Sequence, residues 1–330
     1  MTRWMLTGGA GYIGAHVLRQ LQAVNIDVVV VDDLSTGLAS RVPDGTPLVQ
    51  ANVRDRTAMA AAMRDFDVAG VIHFAARKAV GESVERPLYY YRENVDGVIA
   101  LLEAMEEAGV GRFVYSSSAA VYGEPISPDV AEEAPLIPTS PYGETKVVGE
   151  WATRASAVSR HDSTVPLSFV LLRYFNVAGA GSDDLGDTSV ANLVPLALRA
   201  VAAGDRPKIF GTDYPTPDGT CVRDYIHVVD LAAAHVSAVN LCDDQPLGGV
   251  GTAYNVGTGS GSSVREVIDM VSEVVGFDAN PEATARREGD PAALIAAVGR
   301  INRELGWTAQ YGLRDMVASA WSAWPTTARE

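Results

Sequence analysis

Four glycines decide most of what this chain can become. Arg3-Trp-Met-Leu-Thr7 reads as a short apolar strand, and Gly8-Gly-Ala-Gly11-Tyr-Ile-Gly14 follows it at once. A helical pattern then runs from about Ile13 to Val24. Strand, glycine turn and helix in that order are the setting in which this spacing binds a dinucleotide. Gly8 permits the tight turn, Gly11 lets the backbone approach a pyrophosphate, and Gly14 lets the helix pack close to the strand. The pyrophosphate would rest on the helix N-terminus, where N–H groups and the dipole favour negative charge. The next strand, Asp27-Val-Val-Val-Val-Asp32, ends in a carboxylate where an adenosine ribose should lie. Asp32 or Asp33 can accept from a ribose diol and would repel a 2′-phosphate. NAD is therefore expected rather than NADP.

A second pattern carries chemistry. Tyr142 and Lys146 are four residues apart, so on a helix they share one face. A free phenol has a pKa of about 10 and is a poor base at neutral pH. A neighbouring ammonium favours the phenolate. Lowering the value by roughly 3 units needs about 4 kcal/mol, which a lysine in a dry site and a cationic nicotinamide ring could share. Ser118, upstream, offers a hydroxyl to the same chemistry.

Strands and helices alternate along the first half as a doubly wound parallel sheet requires. Strands are expected at Arg3–Thr7, Val28–Asp32, Leu48–Gln50, Val71–Phe74, Phe113–Ser116 and Phe169–Arg173. Helices are expected near Arg56–Arg64, Leu88–Glu107 and Tyr142–Ala157. After Asn176 the rhythm changes to Gly-, Asp- and Pro-rich loops around a helix at about Asn192–Ala203. A helix at Val229–Leu241 and a strand at Tyr254–Val256 look like a return to the sheet, and helices near Val264–Val274 and Leu313–Trp324 follow. Residues 1–177 with 227–257 are expected to form the NAD-binding domain. Residues 178–226 with 258–330 are expected to form a smaller mixed α/β substrate region.

Composition narrows the partners. The 330 residues carry 26 basic and 41 acidic side chains, a net charge of −15. That argues against nucleic acid or an anionic membrane surface. An anionic substrate would need a local cluster of arginines. No apolar run reaches the length of a membrane span, and the N-terminus lacks a signal-peptide pattern. Cys221 and Cys242 are two cysteines without metal-like spacing, expected as reduced thiols in a cytoplasmic protein. His227 has no second ligand at metal spacing, so no metal site is expected. His73 on a buried strand and His161 in a polar loop are expected to be structural. Trp321 and Trp324 are expected to pack against the body of the protein.

Longer motifs bring these features together: His73-Phe-Ala-Ala-Arg-Lys-Ala-Val-Gly-Glu-Ser83, Ser116-Ser-Ser118, Val121-Tyr-Gly123, Ser140-Pro-Tyr-Gly143, Leu171-Leu-Arg-Tyr-Phe-Asn176, residues Asp218 to Val228, and Arg286-Arg-Glu-Gly-Asp290. With the glycine turn, they resemble the galactose-pathway nucleotide-sugar 4-epimerases of the extended short-chain dehydrogenase/reductase family, from about residue 3 to 324. The resemblance implies a Rossmann-type fold and interconversion of UDP-galactose with UDP-glucose through a transient 4-keto sugar. It implies Tyr142 as general base, Lys146 as its electrostatic partner and Ser118 as a hydrogen-bond partner of the reacting oxygen. On the NAD side it implies Gly8, Gly11, Tyr12, Ile13, Gly14, Asp32, Asp33, Asn52, Val53, Phe74, Ala75, Ala76, Lys78, Asn94, Ser116 and Tyr174, beside Tyr142 and Lys146. For the UDP-sugar it implies Lys78, Ser118, Tyr142, Asn176, Asn192, Leu193, Phe210, Arg223, Tyr225, Arg287, Asp290 and Leu294. Two guanidinium forks, Arg223 and Arg287, suit a diphosphate, Phe210 could pack on uracil, and Asp290 could hold the UDP ribose. It also implies a homodimer. Val98, Leu101, Leu102 and Met105 form a helical stripe that could serve either that contact or the core.

Three positions depart from the family pattern. Asn52 replaces an acid near the adenine amine, though its amide oxygen can still accept. Ala120 replaces a threonine beside Ser118, and Leu294 stands at a gate beside the sugar's 2-substituent. A 4,6-dehydratase would need an acid pair after Ser118, where Ala119-Ala120 stands. The closer alternatives are an epimerase for UDP-N-acetylglucosamine or UDP-glucuronate and a catalytically silent NAD-sensing protein.

Overall fold

A computed structural model describes residues 2–189, 192–287 and 289–324. Glu288 of the Arg286–Asp290 motif, Met1 and residues 325–330 lie outside the described residues. The chain forms two compact units: residues 1–121, 138–173 and 232–254 in one, and 122–137, 174–231 and 255–330 in the other. No helix among the described residues is long and apolar enough to cross a membrane.

In the first unit β1 (Arg3–Thr7) leads through the glycine turn into α1 (Tyr12–Ala23), then β2 (Asp27–Asp32), β3 (Leu48–Gln50), α2 (Arg56–Asp65) and β4 (Gly70–His73). Asp55 caps α2 by accepting from the Ala58 N–H at 3.0 Å, the acceptor that an N-cap needs. The helix expected over Leu88–Glu107 is broken. After a separate α3 (Val80–Glu85), it consists of α4 (Pro87–Tyr90), a π-helical turn at Tyr91–Val95 and α5 (Asp96–Ala108). The turn accompanies tertiary bonds of Asn94. Its Oδ1 accepts from the Arg77 N–H at 2.7 Å, and its Nδ2 donates to the Arg77 carbonyl and to Thr145 Oγ1, each at 3.0 Å. Such turns are often found at functional sites.

After α5 come β5 (Arg112–Ser118), β6 (Asp129–Val130, in the second unit), α6 (Pro141–Ser159) and β7 (Ser168–Tyr174). The second unit continues with β8 (Asn176–Ala178), α7 (Leu193–Ala202), β9 (Lys208–Phe210) and β10 (Val222–His227). The chain then runs through α8 (Val228–Asp244), β11 (Gly251–Val256), β12 (Gly261–Ser263), α9 (Val264–Val275), β13 (Glu282–Thr284), β14 (Ala293–Ala296), α10 (Gly299–Leu305) and α11 (Leu313–Ser322).

The main sheet has seven strands in the order β11-β7-β5-β4-β1-β2-β3. The pairs β1–β2, β1–β4, β2–β3 and β4–β5 are parallel. Sequence order reverses between β1 and β4, the switch point at which open α/β sheets bind ligands beyond the carboxyl ends of the strands. The doubly wound expectation is met.

Val98, Leu101, Leu102 and Met105 of α5 pack with Met59 and Met63 of α2 against Met5, Val71 and Phe113 of the sheet. The α5 stripe is 0–5% exposed, so within this chain it is core. Each such side chain contributes about 1.5–3 kcal/mol on burial. The second unit has its own core of Val194, Leu198, Ile209, Val267, Ile268, Val271 and Met316, with Trp321 and Trp324 half-buried against it. Its strands are shorter: β12-β10-β14-β6 form one path and β8 joins β10.

Candidate functional site

Gly8 has φ +74°, and a Cβ there would lie 2.7 Å from the Ala75 N. At Gly14 it would lie 2.4 Å from the Gly8 carbonyl oxygen. Both glycines are therefore required by close backbone approach. α1 starts at Gly11 with no side-chain cap and no acid in its first turn, which leaves its N-terminus suited to an anion. At the end of β2, Asp32 accepts from the Ala10 N–H at 3.0 Å and the Leu34 N–H at 2.9 Å. Burial pushes its carboxyl up, and those backbone bonds pull it back. Asp33 accepts from Ser35 and from Asn52 Nδ2, the latter at 3.0 Å. Burial acts to raise its carboxyl, but Ser35, Arg77 and Asn52 hold it below the usual range. The Asn52 amide oxygen already accepts from the Arg54 N–H at 3.0 Å and Nε at 3.2 Å. A bond to adenine would compete with these.

The other residues expected near a dinucleotide lie at neighbouring strand ends. Phe74 and Ala75 donate their N–H groups to the Thr7 carbonyl. Lys78 Nζ lies 5.9 Å from the Tyr12 ring centroid. Val53 packs at the edge of the α2–α5 core. Asn94 is 3% exposed and committed to Arg77 and Thr145. The Ser116 hydroxyl is buried against His235 Nε2 at 3.1 Å. A cradle free of side chains, an uncapped helix and carboxylates at the next strand end fit a dinucleotide.

The Tyr142 cluster is built by α6. Ser140 caps the helix through the Gly143 N–H at 3.2 Å, and Pro141 opens it. A Cβ on Gly143 would sit 2.6 Å from the Ala120 carbonyl oxygen. Glycine thus lets the first turn lie against the Ala119–Val121 segment that follows Ser118. Tyr142 is 7% exposed, with the Ser118 hydroxyl acting on its phenol. One turn on, Lys146 is 3% exposed and donates to the Ser116 carbonyl at 2.8 Å. Its Nζ lies 5.0 Å from the Tyr115 ring centroid and 6.0 Å from that of Tyr142.

The electrostatics differ from the expectation of a lowered phenol. Burial pushes Tyr142 above its ordinary value, and the Ser118 hydroxyl only partly offsets this. The ammonium is bonded to a carbonyl, and burial lowers it to about 8, against the pull of the Glu150 charge. The residues by themselves hold Tyr142 as a neutral phenol. His73 is 2% exposed, bonded to Thr7 Oγ1 at 2.7 Å, and lowered to about 3 by burial and the Lys146 charge. It is a neutral structural imidazole.

In the second unit Arg223 forms an ion pair with Asp290 and donates to the Val222 carbonyl at 2.7 Å. The Arg287 guanidinium stacks on Phe210, 3.8 Å from the ring centroid. Tyr225 is buried and paired in register with Asn176 across β10–β8. Asn192 precedes Leu193 at the start of α7, with Nδ2 3.4 Å from the Val177 carbonyl oxygen. Leu294 is 8% exposed on β14, in register with Arg223 of β10. Tyr174 ends β7.

Two features escaped the sequence reading. Asp224 is fully buried and accepts from the N–H groups of Thr258, Gly259 and Ala296 at 2.8–3.1 Å, which ties β10 to the loops around Arg223. Glu150 and Arg173 form a buried ion pair behind Lys146, 2.6 Å apart. The only sequence sign of it is a third polar residue at four-residue spacing on α6.

The profile of the NAD dependent epimerase/dehydratase family matches residues 4–257. The UDP-glucose 4-epimerase of Azospirillum brasilense is 43% identical over 98% of this chain and 91% of that protein. A crystal structure of UDP-glucose-4-epimerase from Stenotrophomonas maltophila, with bound NAD and formylated UDP-arabinopyranose, superposes with a TM-score of 0.91. It is 42% identical and covers 98% of each chain. The UDP-Glc/GlcNAc 4-epimerase of Campylobacter jejuni superposes at a TM-score of 0.85, with 35% identity over 98% of each chain. With its glycine turn, its Tyr142–Lys146 helix and these matches together, the chain belongs to the NAD dependent epimerase/dehydratase family.

Proposed function

We propose that this protein interconverts UDP-galactose and UDP-glucose, with Tyr142 as the proton-handling group. The observation that carries the chemistry is the buried Tyr142–Lys146 pair on α6 beside the half-buried Ser118. The near full-length likeness to UDP-glucose 4-epimerases supports the substrate pair. Inverting a secondary alcohol needs a C–H bond broken at an unactivated carbon. Bound NAD would supply the acceptor for the C4 hydride and its return once the 4-keto sugar has turned over. Gly8, Gly11, Gly14, Asp32 and Asp33 would hold that cofactor, with Lys78 and Asn94 beside them.

Tyr142 takes the proton of the sugar 4-hydroxyl and gives it back. Its phenol stands above the ordinary value in the chain alone. Ionisation therefore draws on positive charge, from Lys146 and from the cofactor. Ser118, whose hydroxyl acts on the phenol, would hold the reacting oxygen in line. In the second unit Arg223 and Arg287 bind the diphosphate, Phe210 and Tyr225 pack against the nucleoside, and Asp290 accepts from its ribose. Asn176, Asn192 and Leu193 complete the nucleotide contacts, and Leu294 borders the sugar.

A second copy of the chain is part of the same proposal. Val84, Leu88, Ile99, Trp151 and Val158 are 42–79% exposed on α3, α4, α5 and α6, helices that pack on one another. That apolar surface suits a homodimer. A cytoplasmic setting fits Cys221 and Cys242, both free thiols.

The test is an assay of purified protein with UDP-galactose and no added reductant, together with release and identification of bound nucleotide. UDP-glucose formation by protein that carries or binds NAD is expected. No turnover and no NAD binding would overturn the proposal. A monomer in sedimentation analysis at micromolar concentration would remove the dimer alone.

A further inference from the structure

We propose that Glu150 is a positioning residue of this site: its buried carboxylate, clamped by Arg173 and Ser117, keeps Lys146 a cation seated on the Ser116 carbonyl. The inference rests on the reading of Tyr142 and Lys146 as the proton-handling pair.

The geometry is a zipper of three consecutive strand residues with three consecutive helical turns. Tyr142, Lys146 and Glu150 repeat every four residues along α6 and so project from one face. Opposite them on β5, the Ser118 hydroxyl acts on the Tyr142 phenol, and the Ser116 carbonyl accepts from Lys146 Nζ at 2.8 Å. The Ser117 hydroxyl donates to Glu150 Oε1 at 2.6 Å. From β7, Arg173 donates its Nε to Glu150 Oε1 at 2.8 Å and its Nη2 to Oε2 at 2.6 Å. Glu150 and Ser117 are 0% exposed and Arg173 3%. A fork of two parallel bonds fixes the carboxylate in direction.

Packing alone does not call for this pair. Apolar side chains of similar volume would join α6 to β7 at no loss of stability. The effect of the carboxylate is therefore to be sought in the charge it places one turn from Lys146. The groups facing Lys146 are Tyr142 and Glu150 on α6, Tyr115 and Ser116 on β5, and His73 on β4. Ser116 is backed in turn by His235 of α8. Tyr115 offers a ring face, and His73 is neutral because burial and the lysine charge lower it to about 3. Glu150 brings the negative charge that opposes the burial cost of the ammonium. Without it, Lys146 would lose its proton within the neutral range and with it the charge that favours phenolate.

The chain has three lysines, Lys78, Lys146 and Lys208. Full-length protein labelled with 13C-lysine therefore gives three ε-carbon signals, and the one missing in Lys146→Met is that of Lys146. Its titration midpoint is measured in the parent, in Glu150→Gln, and in the double variant Glu150→Met with Arg173→Met. The double variant removes both charges and keeps the volume. The midpoint is expected to fall by about one unit in both variants, a tenfold change in the protonation equilibrium. The alkaline limb of kcat should move to lower pH by the same amount with KM unchanged, although the double variant recovers the thermal stability that Glu150→Gln loses. A double variant with the midpoint and pH profile of the parent would make the pair simple glue and overturn the inference. If Glu150→Gln does not fold, the double variant decides alone. Tyr142→Phe separates the two levels. Near-parent turnover there would sink the proton-handling reading itself, whereas lost turnover with an unmoved Lys146 midpoint would sink only this inference.

Discussion

The Tyr142 cluster of the first unit and the Arg223–Arg287 cluster of the second are built on opposite terms. Tyr142, Lys146, Glu150 and Arg173 lie on long regular elements, and none is more than 7% exposed. Each has fixed partners, and burial moves the Tyr142 phenol up and the Lys146 ammonium down to about 8. In the second unit Arg223 leaves a six-residue strand, while Arg287 stands in a loop and is exposed. Arg223 already holds Asp290, Arg286 holds Asp213, and Arg287 lies over Phe210. Chemistry needs a dry, rigid setting where a charge has a large effect. Holding a nucleotide needs forks that are aimed in advance and can exchange an internal partner for a phosphate. On the proposed function the contrast amounts to a division of labour, in which turnover would depend on the first cluster and affinity on the second.

Tyr142→Phe attacks the first half of that division and should have the largest effect. The ring and its packing are kept, and the ionisable oxygen is lost. Turnover is expected to fall at least ~100-fold, the low end for general acid–base catalysis, with UDP affinity by calorimetry within about threefold, a difference below 1 kcal/mol. Arg287→Met attacks the second half. Methionine can still lie on Phe210 but offers no donor. A charged hydrogen bond is worth about 1.5–3 kcal/mol, so KM for the UDP-sugar should rise roughly 10- to 100-fold, with kcat and bound NAD unchanged. Steady-state kinetics and UDP calorimetry check it. A loss confined to kcat would break the proposed division.

The two clusters also differ in how far they could be read without coordinates. The glycine turn, the six strands expected in the first half and the Tyr142 helix were legible, because their signals are local: apolar runs, Gly8, and Ser140-Pro141 as a helix start. The break at Tyr91–Val95 was not. It goes with Asn94 bonding to Arg77 and Thr145, 17 and 51 residues away. Glu150 is illegible for a similar reason, since its partner Arg173 lies 23 residues on, in the next element β7. In the second unit most strands have two to four residues and pair over long separations, such as Ile295 with Asp129. Strands that short carry no readable alternation. The fall of Lys146 to about 8 and the rise of Tyr142 were also hidden, because burial is a property of the packed core and not of the spacing.

Leu294 offers the smallest and sharpest test, because it asks whether the second unit selects the sugar as well as holding the nucleotide. It is 8% exposed on β14, opposite Arg223 in the parallel β10–β14 pair. Paired positions on adjacent strands project to one face, so a diphosphate on Arg223 would bring its sugar near the Leu294 side chain. Leucine is branched near its tip and has no hydrogen-bonding group for an acetamide. Admitting an N-acetyl group at the sugar 2-position should cost on the order of 1–3 kcal/mol, roughly 10–200-fold in kcat/KM. The parent should therefore prefer UDP-galactose and UDP-glucose to their N-acetylated counterparts by at least about tenfold. Leu294→Ser shortens the side chain and adds a hydroxyl. It should raise kcat/KM for the N-acetylated pair by roughly tenfold and change the plain pair by about threefold or less. Both pairs are compared in parent and variant, with thermal melting to show that the variant is folded. Equal use of both pairs by the parent would remove Leu294 as a gate, and a folded serine variant with no gain would do the same.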